Sequence, residues 1–236
     1  MAVYFNGTLV DSGNFQFDGI TPDKVYFNGA EVWTNKAPAG SQTFTSSGTF
    51  TVPQGYTEVT ICMCGGGGSG ASTNAYEGQV AGGGSAGQVI SQSVTVTSGQ
   101  EISVVIGGGG GAVGGAGVNG SSGGSSSFAA ITASGGAGGI LNRSSPSNPS
   151  YNGVGSSRTT CGGTFNDGLK YHGGFMYAGS DYYSGGQAGA FGNGGNGATA
   201  QNTYPQNGGI GAGGGGHSHY RPGGSGGRGQ CIVSWS

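Results

Sequence analysis

The chain has 236 residues, of which sixty are glycine and 7% are charged, and its formal net charge is −2. A charge this near neutral excludes the basic footprint of a nucleic-acid-binding protein. Seven prolines without a repeating Gly-X-Y frame exclude collagen, and no stretch reaches the roughly 20 apolar residues of a membrane span. We therefore expect no nucleic-acid partner and no membrane insertion.

The motif Val-Tyr-Phe-Asn-Gly occurs twice near the start of the chain, at residues 3–7 and 25–29. Asn-Gly between β-prone residues is the strongest short hairpin signal, because a type I′ turn needs positive φ at both central positions. The repeat predicts two β-hairpins in residues 1–36. So small a unit cannot bury a core of its own, so we assign residues 1–36 as an attachment module, followed by a linker at 37–42.

Alternating apolar and polar residues predict further strands at residues 43–64, 88–96, 101–106, 128–133 and 230–235. No stretch has the 3.6-residue period of an amphipathic helix, so we expect negligible α-helix. These strands define the β base of a single glycine-rich domain, residues 43–236.

Glycine clusters follow the predicted strands directly, as at residues 65–68 and 107–111. Disorder is one interpretation of such clusters, but an aromatic content of 10% and anchoring strands at both ends favour order. Extended helices with three residues per turn have no internal hydrogen bonds, and glycine lets them pack side by side. The predicted fold class is therefore all-β with a polyglycine-II helix bundle.

Stretches of different composition interrupt the glycine clusters, and they hold most of the tyrosines, prolines and charges of this region. Binding residues concentrate in loops on a rigid scaffold, and tyrosine gives a large contact area with little side-chain entropy to lose. The alternative is that these rings pack against the glycine bundle. The residues assigned to the predicted receptor-binding surface are Tyr151, Arg158, Tyr171, His172, Phe175, Tyr177, Asp181, Tyr182, Tyr183, Tyr204, His219, Tyr220 and Arg221.

No arrangement of residues typical of catalysis is recognisable, so we predict a protein that binds without being an enzyme and that needs no cofactor. His217 and His219 lie on one side of an extended segment and form a candidate metal pair, but two imidazoles fall short of a usual ligand set. An exposed, glycine-flanked loop is the more ordinary interpretation of this segment.

Four cysteines, Cys62, Cys64, Cys161 and Cys231, show no CxxC spacing. Cys62 and Cys64 are two residues apart in a predicted strand and therefore point to the same face. We interpret the cysteines as buried free thiols that act as small apolar residues. A Cys-Cys-His zinc site is the alternative, which the spacing does not support.

Five elements follow one another in order through residues 41–236. They are a strand pair at 50–61, the glycine run 65–68, a Gly-Gln-X-Ile-type stretch at 99–110, a Gly-Gly-Ser-Ser-Ser-Phe element at 123–128, and a glycine-rich run into a terminal strand at 223–235. This order resembles the glycine-rich domain found at the ends of bacteriophage tail fibres. It is similar, more loosely, to the tip adhesins of T-even-like phages.

The resemblance implies a receptor-binding adhesin of the distal tail fibre of a virion, made in the host cytoplasm. Its partner would be an outer-membrane protein or the lipopolysaccharide of a Gram-negative host, contacted by apical loops on a polyglycine-II sandwich. Residues 1–36 replace the longer attachment domain of those adhesins and are expected to join another tail-fibre protein. A structural fibre segment or trimerisation cap is the main alternative, and the sequence leaves monomer and homotrimer open. A carbohydrate-active or metal-dependent fibre enzyme is a third alternative, which no pair of carboxylates at recognisable positions supports.

Overall fold

The computed structural model describes residues 3–5, 8–10, 24–27, 30–34, 36–72, 80–114, 117–142, 194–195, 204–217 and 222–236. Every regular secondary-structure element in these residues is a β-strand, which confirms the predicted all-β class for this part of the chain. It contains no helix long and apolar enough to cross a bilayer. The strands are β1 (Val3–Phe5), β2 (Thr8–Val10), β3 (Lys24–Phe27), β4 (Ala30–Thr34), β5 (Gly40–Phe44), β6 (Gly48–Thr51), β7 (Glu58–Cys64), β8 (Val80–Ala81), β9 (Val89–Thr95), β10 (Glu101–Val105), β11 (Ser126–Phe128), β12 (Ile131–Ala133), β13 (Leu141–Asn142) and β14 (Gln230–Trp235).

The two repeated motifs form the two predicted hairpins. β1 pairs with β2, and β3 pairs with β4, both in antiparallel register. An Asn-Gly dipeptide separates the strands of each pair, at residues 6–7 and 28–29. The hairpin prediction is confirmed, while the role of residues 1–36 as an attachment module stays a prediction.

Two four-stranded antiparallel sheets form the β base. Their strand orders are β5-β14-β7-β9 and β12-β11-β10-β6. β11 contacts both β7 and β14 of the other sheet, so the two sheets lie face to face. Because β14 pairs with β5 on one side and with β7 on the other, the last residues of the chain hold the first strand of the base in place.

The hydrophobic core lies between these two sheets. β7 alternates as a half-buried strand should, with Val59, Ile61 and Met63 buried and Glu58 and Thr60 exposed. The other buried residues of the core come from both sheets and their turns: Phe44, Phe50, Val52, Tyr56, Val96, Ile102, Val104, Phe128, Ala133, Cys231 and Val233.

Phe50 is the centre of an aromatic cluster and is fully buried. Its ring centroid lies 6.5 Å from that of Phe44, 5.9 Å from that of Phe128 and 5.8 Å from a ring centroid of Trp235. These separations fall in the favourable range for aromatic pairs, so one side chain joins β5, β6, β11 and β14.

The strand predicted at residues 128–133 is instead a tight hairpin. β11 ends at Phe128, β12 begins at Ile131, and the two strands pair. Ala129 takes a positive φ of 51° in the turn, and its N–H donates to the Ser103 carbonyl at 3.2 Å. Alanine in such a conformation gives no turn signal of the Gly, Asn or Asp kind, which is why the sequence did not indicate it.

Candidate functional site

Seven extended glycine-rich segments adjoin the β base. They are g1 (residues 65–72), g2 (82–88), g3 (107–114), g4 (118–125), g5 (134–140), g6 (212–217) and g7 (222–229). Segments g1, g3 and g5 continue β7, β10 and β12 away from the base, while g2, g4 and g7 lead back into β9, β11 and β14. The strands of the base therefore fix where most of the segments start or finish.

Segment g1 lies buried at the centre, and its backbone N–H groups bond three neighbours in a repeating order. Gly65 donates to g2, Gly66 to g4 and Gly67 to g7, with N···O distances of 3.0, 2.9 and 2.8 Å. The same order then repeats, because Gly68 donates to g2 and Ser69 to g4. The order continues to the end of g1, where Gly70 donates to g7, Ala71 to g2 and Ser72 to g4.

The carbonyl groups of g1 accept from three further segments. The Gly66 carbonyl accepts from g5, the Gly67 carbonyl from g3, and the Gly68 carbonyl from g6. Hydrogen bonds also join the six outer segments in a closed ring, in the order g2, g5, g4, g3, g7, g6. Since g1 has no internal hydrogen bond, its buried polar groups are satisfied sideways by these six neighbours.

The glycines of this arrangement are required by contact between backbones. An added Cβ at Gly70 would overlap the Gly215 carbonyl, and one at Gly84 would overlap the Gly68 carbonyl. By contrast, an added Cβ at Gly108 or Gly111, on the exposed side of g3, would meet no atom within 4 Å. The interior positions of Gly70 and Gly84 therefore cannot carry a side chain, whereas g3 has surface positions that can.

Several polar side chains complete this backbone network, and the sequence analysis did not single them out. The Asn119 Oδ1 accepts from the Leu141 N–H at 2.8 Å, and the Ser69 Oγ accepts from the Ser121 N–H at 2.8 Å. The Asn207 Oδ1 accepts from the Ser225 N–H at 2.9 Å. Their only sequence signal is an Asn or Ser inside a glycine run, which by itself does not identify a partner distant in sequence.

The ends of several segments lie together on the side away from the base, in a group that we call the apical layer: Ser72, Ala81, Val118, Leu141 and His217. Ser72 bridges both Val118 and His217, and Leu141 pairs with Ala81. Three of the described ranges stop next to this layer, after Ser72, after β13 and after His217. The interrupting stretches 73–79, 143–193 and 218–221 thus each follow a residue of this layer or its immediate neighbour.

The opposite end of the base holds the segment that follows the hairpins. The Ala37 N–H donates to the Gln54 carbonyl at 2.8 Å, and the Trp235 Nε1–H donates to the Pro38 carbonyl at 2.9 Å. The Lys36 Nζ donates to the Ser236 carbonyl at 3.3 Å. Residues 36–38 are therefore fixed to the base at the end farthest from the apical layer.

Most of the predicted binding residues lie outside the described residues: Tyr151, Arg158, Tyr171, His172, Phe175, Tyr177, Asp181, Tyr182, Tyr183, His219, Tyr220 and Arg221. Tyr204 is described and is 69% exposed. It precedes Gln206, whose carbonyl accepts from the Gly215 N–H of g6 at 3.1 Å. Tyr204 therefore lies exposed at the edge of the glycine segments.

The environment of His217 differs from the exposed loop that the sequence predicted. His217 is fully buried, and its backbone N–H donates to the Ala71 carbonyl at 3.1 Å, so it belongs to g6 and not to an exposed loop. The glycines before it continue the close packing up to its position. His219 lies outside the described residues, and no group of three metal-binding side chains occurs within them.

The cysteines divide into two kinds. Cys64 and Cys231 are free and buried, as predicted, and burial raises the pKa of each thiol to about 12. The prediction is wrong for Cys62, which is half-buried and takes part in a disulfide. The local spacing of the cysteines does not reveal this disulfide, and Cys161 lies outside the described residues.

The fold and site define an all-β protein whose strands carry laterally bonded glycine segments. The sequence matches the family described as "Glycine-rich domain" over residues 42–236. The chain belongs to this family. A search of the curated proteins finds no match.

Proposed function

We propose that g1 to g7 are polyglycine-II helices and that the chain is a receptor-binding adhesin at the tip of a bacteriophage tail fibre. The helix assignment rests on the bonding order of g1, because three residues per turn make successive N–H groups face three different neighbours. No described residue of g1 to g7 has a positive φ, as expected for the left-handed extended helix of this class.

One observation carries the adhesin proposal: three interrupting stretches start at the apical layer, while residues 36–38 are fixed at the opposite end. An adhesin needs this polarity, because one end must join the virion and the other must face the host. Within g1 to g7, His217 and Arg228 are the only ionisable residues. The segments thus offer a partner little charge, and recognition falls to the interruptions.

The receptor is an outer-membrane protein or lipopolysaccharide of a Gram-negative host, bound without catalysis through the tyrosine-rich stretch 171–183. Tyrosines presented on a rigid scaffold lose little entropy on binding. Truncating an anchor of this kind costs about 2 kcal/mol, or roughly thirtyfold in affinity. The competing proposal, a structural fibre segment or trimerisation cap, requires no such effect.

The test measures how well the purified full-length chain competes with phage for adsorption to host cells. Tyr177→Ala combined with Tyr182→Ala should abolish competition, and Tyr204→Ala should weaken it. Val105→Ala is the matched control, because Val105 is 44% exposed but lies on β10 of the base; it should compete normally.

Pre-treating outer-membrane extract with protease or with periodate distinguishes a protein receptor from a sugar receptor. Normal competition by the double tyrosine variant would place the binding site elsewhere. Normal competition after replacing all of residues 143–193 and 218–221 would favour the structural role over the adhesin.

A further inference from the structure

The chain enters the base beside the point where it ends, and this arrangement has mechanical consequences. Lys36 and Ser236 are in contact, and Gly40 of β5 is in register with Trp235 of β14. β5 runs from Gly40 towards the glycine segments, whereas β14 begins next to g7 and runs back. The start of β5 and the start of β14 therefore lie at opposite ends of the same strand pair.

We propose that the β5–β14 pair is a mechanical joint that works in shear when the N-terminal side of the chain is pulled away from the apical layer. Tension from residues 1–35 reaches β5 at Gly40, and tension from the apical layer reaches β14 through g7 at Gln230. The two strands are then drawn past each other along their length. Hydrogen bonds between antiparallel strands are perpendicular to the strands, so the five registered pairs share the load.

Contacts of residues 36–38 strengthen the point where tension enters. Besides its bond to Ser236, the Lys36 Nζ lies 4.1 Å from the centroid of the Tyr56 ring, in cation–π contact. The Tyr56 hydroxyl donates to the Ala37 carbonyl at 3.1 Å. Trp235 holds Pro38 through its indole N–H while its ring packs on Phe50 in the core. Tension must break these contacts before it reaches β5.

The glycine segments suit the same task. Segment g7 bonds g1, g3 and g6 through backbone groups directed sideways, so tension along g7 is passed to its neighbours. Under the polyglycine-II geometry proposed above, each residue already rises about 3.1 Å of the roughly 3.3–3.6 Å that a fully stretched chain allows. The segments can therefore lengthen little before their hydrogen bonds break.

Pulling on single molecules of the full-length chain with optical tweezers tests the joint. In the first geometry, one handle is at the N-terminus and the other is at Tyr204→p-azidophenylalanine, an exposed position of similar shape. In the second, the handles are at the N-terminus and after Ser236. This second geometry pulls β5 and β14 from the same end, so their bonds open one pair at a time.

We expect the β base to rupture at a force several times higher in the first geometry than in the second. Val118→p-azidophenylalanine provides an independent apical handle, because Val118 is 40% exposed, and it should reproduce the high force. Equal rupture forces in the two geometries, with the first handle at either residue 204 or residue 118, would overturn the proposal. The result does not depend on whether the chain binds a receptor, so failure of the adhesin proposal would be seen separately.

Discussion

Replacing Gly70 by alanine should destabilise the protein strongly, although only one methyl group is added. Gly70 is buried in g1, its N–H donates to the Gly224 carbonyl at 2.9 Å, and an added Cβ would overlap the Gly215 carbonyl. Segment g1 cannot move away from g6 without moving towards another of its six neighbours. Overpacking costs about 1–3 kcal/mol, and a buried N–H that loses its acceptor costs about 1–3 kcal/mol more.

The expected loss for Gly70→Ala is therefore about 2–6 kcal/mol of the free energy of unfolding. Gly108→Ala and Gly111→Ala are matched controls in g3, because their Cβ atoms would meet no atom within 4 Å and neither residue has a positive φ. At such positions alanine reduces the entropy of the unfolded chain and stabilises by about 0.4–1 kcal/mol. Replacing glycine by alanine should thus lower the free energy of unfolding in g1 and raise it in g3.

Gly124→Ala provides an intermediate case, because its Cβ would lie 3.1 Å from the Gly108 nitrogen and a small shift could accommodate it. Guanidinium unfolding followed by circular dichroism gives the free energies, and amide exchange at Gly70 and Gly214 reports local opening. We expect the free energy of unfolding to be highest for Gly108→Ala, lower for Gly124→Ala and lowest for Gly70→Ala. If Gly70→Ala were as stable as Gly108→Ala, close backbone packing would not be the reason for the interior glycines.

Three further predictions concern other parts of the chain. Phe50→Ala should lower the free energy of unfolding by about 3–5 kcal/mol, whereas the exposed Thr43→Ala should change it little; thermal unfolding of both variants compares them. Cys64 and Cys231 should not react with a thiol reagent near neutral pH until the chain is unfolded, because burial raises their pKa from 9.0 to about 12. A raised folded pKa favours the neutral thiol, so the free energy of unfolding should fall as the pH rises from 9.0 towards 12, and Cys64→Ala with Cys231→Ala should reduce that slope. Removing residues 1–34 should leave a folded chain that binds host cells but is not incorporated into virions, as measured by circular dichroism, cell binding and particle composition; failure to fold would mean that the hairpins are part of one domain with the base.

The sequence by itself determined both N-terminal hairpins and most strands of the β base. Strand alternation, as at Val59 and Ile61, depends on neighbouring residues, and so do the Asn-Gly turns of the two hairpins. The glycine clusters also indicated close backbone approach, because no other residue lacks a Cβ. The resemblance to phage tail-fibre domains led to the proposed role, and the family match supports its glycine-rich part.

Only the tertiary structure decided which glycine segments are neighbours and which glycines are buried. A glycine carries no side chain that could distinguish one partner segment from another, so Gly70 and Gly108 look alike in the sequence although one is central and the other is at the surface. The same limit applies to His217, which is buried where g6 bonds g1, and to Cys62, whose disulfide the local spacing of the cysteines does not reveal. Backbone hydrogen bonds join the segments, and these are set by the path of the chain, because every residue type has a backbone carbonyl and every type except proline has a backbone N–H.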